Sequence, residues 1–265
     1  MAELEFNELV FVYVCSLIAA IVFMTLVFIY AHKKDRYDYV DAAWGIVFMV
    51  IAITAFVASQ SLSAPKLVVI GLVMLWGTRL SSHLIRRLRS SNEEDPRYTD
   101  MRKKWRGGVA LNAYFKIFIF QALLASVVMS SVIVIVSEND QPLSWLLIVG
   151  TGVWLLGYMV ESISDDQLRE FIKNKRNKGK LMTEGFWHYS RHPNYFGELT
   201  QWWGIGIIAL SATYWYVGLI GPALLTVLIL FISGVRLSEK RFEGHPGWDT
   251  YKRRTSALVP LPPKE

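Results

Sequence analysis

The richest stretch of chemistry in this chain is Gly185-Phe186-Trp187-His188-Tyr189-Ser190-Arg191-His192-Pro193-Asn194-Tyr195-Phe196-Gly197-Glu198. Pro193 pushes His192 out of helical geometry and is itself suited to open a helix. A helix that starts there aims unpaired N–H groups at whatever lies before it, which suits a phosphate. Arg191 offers a forked pair of donors, and His192 a second donor or cation. Asn194 carries both a donor and an acceptor, which matches another amide such as a nicotinamide carboxamide. Glu198 follows one turn later on the same face. A carboxylate just inside a bilayer is costly without a partner, so Glu198 is a functional candidate.

Two further clusters flank this one. The first runs from Glu161 through Asp165, Asp166 and Arg169 to Lys173-Asn174-Lys175-Arg176-Asn177-Lys178-Gly179-Lys180. Five cations in the eight residues from Lys173 to Lys180 make a strong local field for phosphate. The same residues also fit an ordinary basic loop beneath anionic lipid. The second holds Arg236, Glu239, Lys240 and Arg241, then Tyr251-Lys252-Arg253-Arg254. It could lie on a membrane surface, or Tyr251 beside its cations could cover an adenine ring.

Long apolar runs must position these clusters. The chain has 265 residues, 53% of them hydrophobic and 14% aromatic. The excess lies in blocks rather than at helical spacing, which points to a bilayer. Six blocks are long enough to cross as helices: 9–30, 40–58, 66–86, 112–136, 143–161 and 216–235. A seventh, 197–214, is shorter and carries Gly204 and Gly206. The expectation is an all-α integral membrane bundle of about seven helices in one domain, residues 1–265, with the N-terminus outside and the C-terminus cytosolic. The acidic leader from Met1 to Glu8 argues for a retained first helix rather than a secretory signal.

With seven crossings, segments 31–41, 79–106, 162–197 and 236–265 fall on one side and hold 26 of the 28 Lys and Arg residues. That bias makes them cytosolic. The net charge of +6 is then chiefly a topology signal. Acids such as Glu93-Glu94-Asp95 break up the basic loops and argue against a nucleic-acid partner. Trp44, Trp105, Trp145, Trp187, Trp202, Trp203 and Trp215 fall near helix ends, where most should anchor at the membrane surface. Cys15 is the single cysteine, so neither an intrachain disulfide nor a cysteine-built zinc site is expected, and no metal is called for.

The run from Arg191 to Glu198, the following Trp202-Trp203-Gly204 and the ending Tyr251…Thr255-Ser256-Ala257-Leu258-Val259-Pro260 resemble the steroid 5α-reductase superfamily, particularly its bacterial membrane branch. Asp41-x-x-Trp44-Gly45 and Trp76-Gly77-Thr78-Arg79 resemble the same branch. The resemblance implies a seven-helix enzyme that holds NADPH at the cytosolic side in loops 79–111, 162–197 and 236–265. It implies that Asn194 and Glu198 hold the nicotinamide end, and that Asp165, Arg236 and Tyr251 face the cofactor. Lys173, Arg176, Lys180, Arg191, His192, Tyr195, Glu239 and Arg254 complete the expected cofactor-binding set. The reaction implied is hydride transfer to a C=C bond conjugated to a ketone in a steroid or sterol-like enone that enters from lipid.

The animal enzymes of that superfamily polarise the ketone with a Glu on helix two and a Tyr on helix three. Here Asp41 stands at the corresponding end of helix two, and Trp76 roughly where the Tyr would be. A Trp offers only an N–H donor. Tyr37, Asp41, Arg79 and His83 are therefore the catalytic candidates. The rival activity is an S-adenosylmethionine-dependent membrane methyltransferase of the isoprenylcysteine carboxyl or phospholipid type, which shares an Arg-His-Pro-x-Tyr signature. Asn194 with Glu198, and a basic loop suited to a 2′-phosphate, favour the reductase. The chain is expected to be a monomer in a bacterial inner membrane, or in the endoplasmic reticulum if eukaryotic.

Overall fold

The computed structural model describes residues 2–91, 93–138 and 144–265. Among them the regular structure is helical, with one isolated parallel bridge between Ser190 and Ser256. In chain order the elements are α1 (Ala2–Lys33), α2 (Tyr39–Ala58), α3 (Ala64–Ser90), α4 (Pro96–Lys104), α5 (Val109–Val128), α6 (Ser130–Ser137), α7 (Trp145–Lys173), α8 (Phe186–Tyr189), α9 (Pro193–Ala209), α10 (Trp215–Lys240) and α11 (Trp248–Arg254). Six of these, α1, α2, α3, α5, α7 and α10, are long and apolar enough to cross a membrane. Their outer faces carry the apolar residues that a soluble protein would bury. On α1, Phe11, Ile18, Val22 and Leu26 are each more than half exposed, at helical spacing, which only a lipid solvent favours. The chain is a multi-pass membrane protein.

The helix ends follow from local chemistry. Ser144 caps α7 by accepting from the Leu146 N–H at 3.1 Å. Asp95 caps α4 by accepting from the Arg97 N–H at 3.0 Å, with Pro96 in the first turn. Pro193 opens α9, which starts four residues before the apolar block at 197–214 and ends at Ala209, a length of 17 residues. The block at 112–136 is not one uninterrupted helix. It contains a π turn at Tyr114–Ile119 and bends at Met129, where the i to i−4 hydrogen bonds nonetheless continue. Residue 143, where the fifth block begins, lies outside the described residues, as do Asn139 and Asp140. In α10, residues Leu228–Ile232 widen into a π turn, and Gly234 follows with φ −89° and ψ −100°. A side chain on Gly234 would run into the Ile229 carbonyl. This turn sets the last stretch of α10, which carries Glu239, at a new angle.

The chain divides into two compact units. One comprises Met1–Leu143 and Ala209–Ile220, the other Ser144–Ile208 and Gly221–Glu265. In the first unit, α2 crosses α3 at paired glycines. A Cβ on Gly45 would sit 2.6 Å from the Gly77 carbonyl oxygen, and one on Gly77 would sit 2.8 Å from the Gly45 carbonyl oxygen.

In the second unit, α7 and α9 run antiparallel and touch through glycine at two levels. A Cβ on Gly150 would sit 2.5 Å from the Gly204 carbonyl oxygen, and one on Gly157 would sit 2.6 Å from the Gly197 carbonyl oxygen. Glycine permits this approach because the neighbour's backbone fills the space of its missing side chain. Spaced seven apart on each helix, the glycines recur on one face and hold the two backbones in contact along two turns.

Candidate functional site

The α7–α9 contact brings the polar residues of both helices together. One turn beyond Gly157, Glu161 is buried and accepts a hydrogen bond from the Gln201 side-chain amide. One turn further, Asp165 accepts from Asn194 Nδ2 at 3.2 Å. Asn194 stands in the first turn of α9. Its other amide atom, Oδ1, is buried and has no hydrogen-bond partner. A buried carbonyl oxygen left unmatched costs about 1–3 kcal/mol. It is an acceptor held ready for a donor that the chain itself does not supply. Glu198 lies half-buried one turn along α9, on the same face.

The segment before α9 is held by the C-terminal tail. The Arg191 guanidinium donates to Glu239 Oε1 through Nε at 2.8 Å and Nη2 at 2.6 Å. Its Nη1 donates to the carbonyls of Lys252, at 2.9 Å, and Thr255. Lys252 Nζ closes the cluster 3.2 Å from Glu239 Oε2. The backbone joins in: the Arg191 N–H donates to the Ser256 carbonyl at 2.8 Å and the Leu261 N–H to the Tyr189 carbonyl at 3.0 Å. Ser190 Oγ donates to the Leu258 carbonyl at 2.7 Å. The Tyr251 hydroxyl donates to the Trp187 carbonyl, and burial raises its pKa.

Arg191 spends its donors on the tail rather than presenting a free fork to a phosphate. Tyr251 uses its hydroxyl as a peg beneath Trp187. His192 is 4% exposed and stacks on Tyr195, with ring centroids 5.3 Å apart. Its Nε2 lies 3.6 Å from Glu239 Oε1, beyond hydrogen-bond range. Burial holds the imidazole down to about 4, although the Glu239 carboxylate pulls the other way. His192 is thus a neutral side chain at physiological pH and not a second cation.

The base of the site is built from residues that carry no obvious chemical signature. Gly185 has φ +60°, and its missing Cβ leaves room for the Gln167 side chain. Gln167 Oε1 accepts from the Phe186 N–H at 3.0 Å. Trp187, expected at the membrane surface, is 9% exposed and donates its indole N–H to the Ser164 carbonyl at 3.1 Å. Trp202 is also buried, at 2%, whereas Trp145 and Trp215 are exposed as expected. Lys173, Arg176 and Lys180 are exposed, and Lys173 pairs with Glu170 at 2.8 Å. Arg236 and Arg254 are exposed as well, Arg254 donating to the Lys264 carbonyl at 3.1 Å.

Residues 27–255 match a family model described as a protein of unknown function, DUF1295. The chain belongs to the DUF1295 family, within the steroid 5α-reductase superfamily. Similar proteins include the 3-oxo-5-alpha-steroid 4-dehydrogenase 1 of Bos taurus, 26% identical over 43% of this chain and 41% of the relative. That of Homo sapiens is 30% identical over 37% of this chain and 38% of the relative. The matches thus span about two fifths of these relatives' length. Among solved structures none matches.

The other four candidates of this DUF1295 protein lie in its first unit. Asp41 has both carboxylate oxygens engaged: one takes the Tyr98 hydroxyl, the other Arg97 Nη2 at 2.6 Å. As placed, Asp41 accepts hydrogen bonds and has none to donate. Tyr98 is 6% exposed, and burial, then the Asp41 charge, raise its pKa. Asp95 holds Arg97 through both oxygens at 3.0 Å. Burial alone would raise the Asp95 pKa, but the Arg97 hydrogen bonds outweigh it and lower it.

Tyr37 is 1% exposed, lies under the Arg102 guanidinium at 4.2 Å, and meets His32 Nδ1 at 3.1 Å. Its place is in the packed core, where burial raises its pKa. Arg79 and His83, four residues apart on α3, share one half-buried face. Trp76 is buried with its ring edge-on to Phe48, centroids 5.1 Å apart. A cavity of ≈ 210 Å³ opens beside Asp41, lined also by Asp38, Leu84, Arg87, Glu94 and Asp95.

Sequence reasoning missed Arg97, Tyr98, Gln167 and Gln201. Their partners lie 56, 57, 19 and 40 residues away, beyond any local pattern. The glycine spacing at 150, 157, 197 and 204 was the available signal, since it fixes which faces of α7 and α9 meet.

Proposed function

We propose that this protein is an NADPH-dependent membrane reductase of a C=C bond conjugated to a ketone in a hydrophobic, steroid-like substrate. The observation that carries this reading is Asn194: an amide tied to Asp165 through its nitrogen and left with a buried, unmatched oxygen. The nitrogen of a carboxamide is the donor such an oxygen lacks. The names of the similar proteins support the same chemistry, and the fit of Asn194 to a nicotinamide amide supports the cofactor.

In this reading Asn194 and Glu198 hold the nicotinamide end, Asp165 orients Asn194, and the exposed cations of 173–180 meet the phosphates. NADPH, when bound, supplies the hydride. The chain supplies position and field. Negative charge builds on the substrate oxygen during reduction, so a donor must face it. Arg79 and His83 carry donors by nature, whereas Asp41 is an acceptor for Arg97 and Tyr98. The exposed apolar flanks support substrate entry from lipid, and the Lys and Arg asymmetry supports a cytosolic face for the cofactor.

The test is nucleotide binding to protein purified in detergent. NADPH should bind, and S-adenosylmethionine should not. Asn194→Ala and Glu198→Gln should each weaken NADPH by about tenfold or more, the loss of one buried hydrogen bond to a polar ligand, while the melting temperature holds. Binding of S-adenosylmethionine in place of NADPH would overturn the reading, as would unchanged NADPH affinity in both variants.

A further inference from the structure

We propose that Arg191 and Glu239 are positioning residues that set the nucleotide affinity of Asn194 without touching the nucleotide. This deepens the reductase reading and rests on it. Arg191 is 8% exposed and the Glu239 side chain 12% exposed. In so dry a setting the pair is hard to replace, because removing one partner strands a buried charge. Arg191 Nε and Nη2 both fall on Glu239 Oε1, which leaves Oε2 to Lys252. The same guanidinium reaches two tail carbonyls through Nη1. One side chain therefore fastens the segment before α9 to the last stretch of α10 and to the end of α11.

The consequence reaches Asn194 through a short, stiff path. Only His192 and Pro193 separate Arg191 from Asn194. Pro193 has a fixed φ. The His192 N–H is held by Ser190 Oγ at 3.1 Å, and that hydroxyl donates onward to the Leu258 carbonyl at 2.7 Å. The first turn of α9 is thus anchored on one side by the Asp165–Asn194 hydrogen bond and on the other by the tail. With the Arg191–Glu239 tie removed, that turn keeps the Asp165 anchor and the backbone bonds to the tail but loses its charged side-chain tie, and the Asn194 oxygen is held less firmly before the ligand arrives. Preorganisation of this kind shows itself as affinity.

The experiment compares wild type, Glu239→Gln and Glu239→Asp in detergent by two readouts. One is NADPH affinity, by nicotinamide fluorescence. The other is amide hydrogen exchange of the free protein over 190–196 and 255–261. Glu239→Gln should weaken NADPH by about tenfold and speed exchange in both segments, with exchange over 161–168 unchanged. Glu239→Asp, which keeps the charge, should recover most of both. Faster exchange with unchanged affinity would overturn the positioning role. Weaker binding with unchanged exchange would also overturn it, since Glu239 would then meet the nucleotide directly. A wild type that binds no NADPH would sink the reductase reading and the affinity role with it. In that event the exchange arm alone decides whether Glu239 orders the start of α9.

Discussion

Gly197→Ala should loosen the helix pair that carries the site. The added Cβ would lie 2.5 Å from the Glu161 nitrogen, 2.7 Å from the Gly157 carbonyl oxygen and 2.8 Å from the Glu161 Cβ. Two of these atoms are backbone, so no side-chain rotation relieves the clash. Ordinary contact starts near 3.4 Å, so α7 and α9 must part by roughly 0.9 Å at that level. Overpacking of this kind costs about 1–3 kcal/mol. At roughly 2–4 °C per kcal/mol for a chain of this size, the apparent melting temperature should fall by about 2–12 °C. The Asn194–Asp165 hydrogen bond, already 3.2 Å long, lies within a turn of the clash and should lengthen, so NADPH affinity should drop as well. Gly152→Ala, on the partner helix α7, is the control. Its Cβ meets nothing within 4 Å, and the gain in helix propensity, up to about 1 kcal/mol, should leave stability equal or slightly higher. The assay is thermal unfolding in detergent followed by tryptophan fluorescence, with NADPH titration below the transition. If Gly197→Ala melts and binds like wild type, the two backbones are not in contact there and the reasoning fails.

Other expectations can be checked with the same protein. Because His192 has its pKa depressed to about 4 in the folded state, against an unfolded value near 6.5, the unfolded chain takes up a proton first as pH falls. Stability should therefore be flat above about pH 6.5 and decline towards pH 4, by up to about 3 kcal/mol. A pH series of melting curves should show this slope, and His192→Gln should flatten it. Arg97→Ala should lower the melting temperature measurably, since Arg97 joins Asp41 and Asp95 across elements. Arg87→Ala should change the unfolding free energy by no more than about 0.5 kcal/mol, since Arg87 is 61% exposed with Asp95 as its one ion-pair partner among the described residues.

The crossing helices were legible because a bilayer asks for something simple: long apolar blocks, read directly from composition. The boundaries at 40–58 and 66–86 fall within a few residues of α2 and α3. The start of α9 was less legible. Apolar content placed it at Gly197, whereas the helix starts at Pro193, because a helix N-terminus is set by φ and capping rather than by hydropathy. The special character of 185–198 was visible from residue types alone. Its division of labour was not. Arg191 and Tyr251 look like ligand groups in sequence. In the fold they tie down the tail, since their partners at Glu239, Lys252, Thr255 and Trp187 come from segments about 48 to 64 residues away. Asp41 was visible as a charge at a helix start, but its role as acceptor depends on Arg97 and Tyr98, which local pattern does not connect to it.

The doubled glycine contact between α7 and α9 also has a mechanical meaning. With glycines seven residues apart on both helices, no slide shorter than one full repeat, about 10 Å along the axis, brings glycine back against glycine. Any smaller slide drives a side chain into backbone. The pair is therefore locked in register, and a thinner or thicker bilayer must be met by tilting both helices as one body or by deforming the lipid. Whatever membrane holds it, the distance between Asp165 and Asn194 stays that of a rigid part.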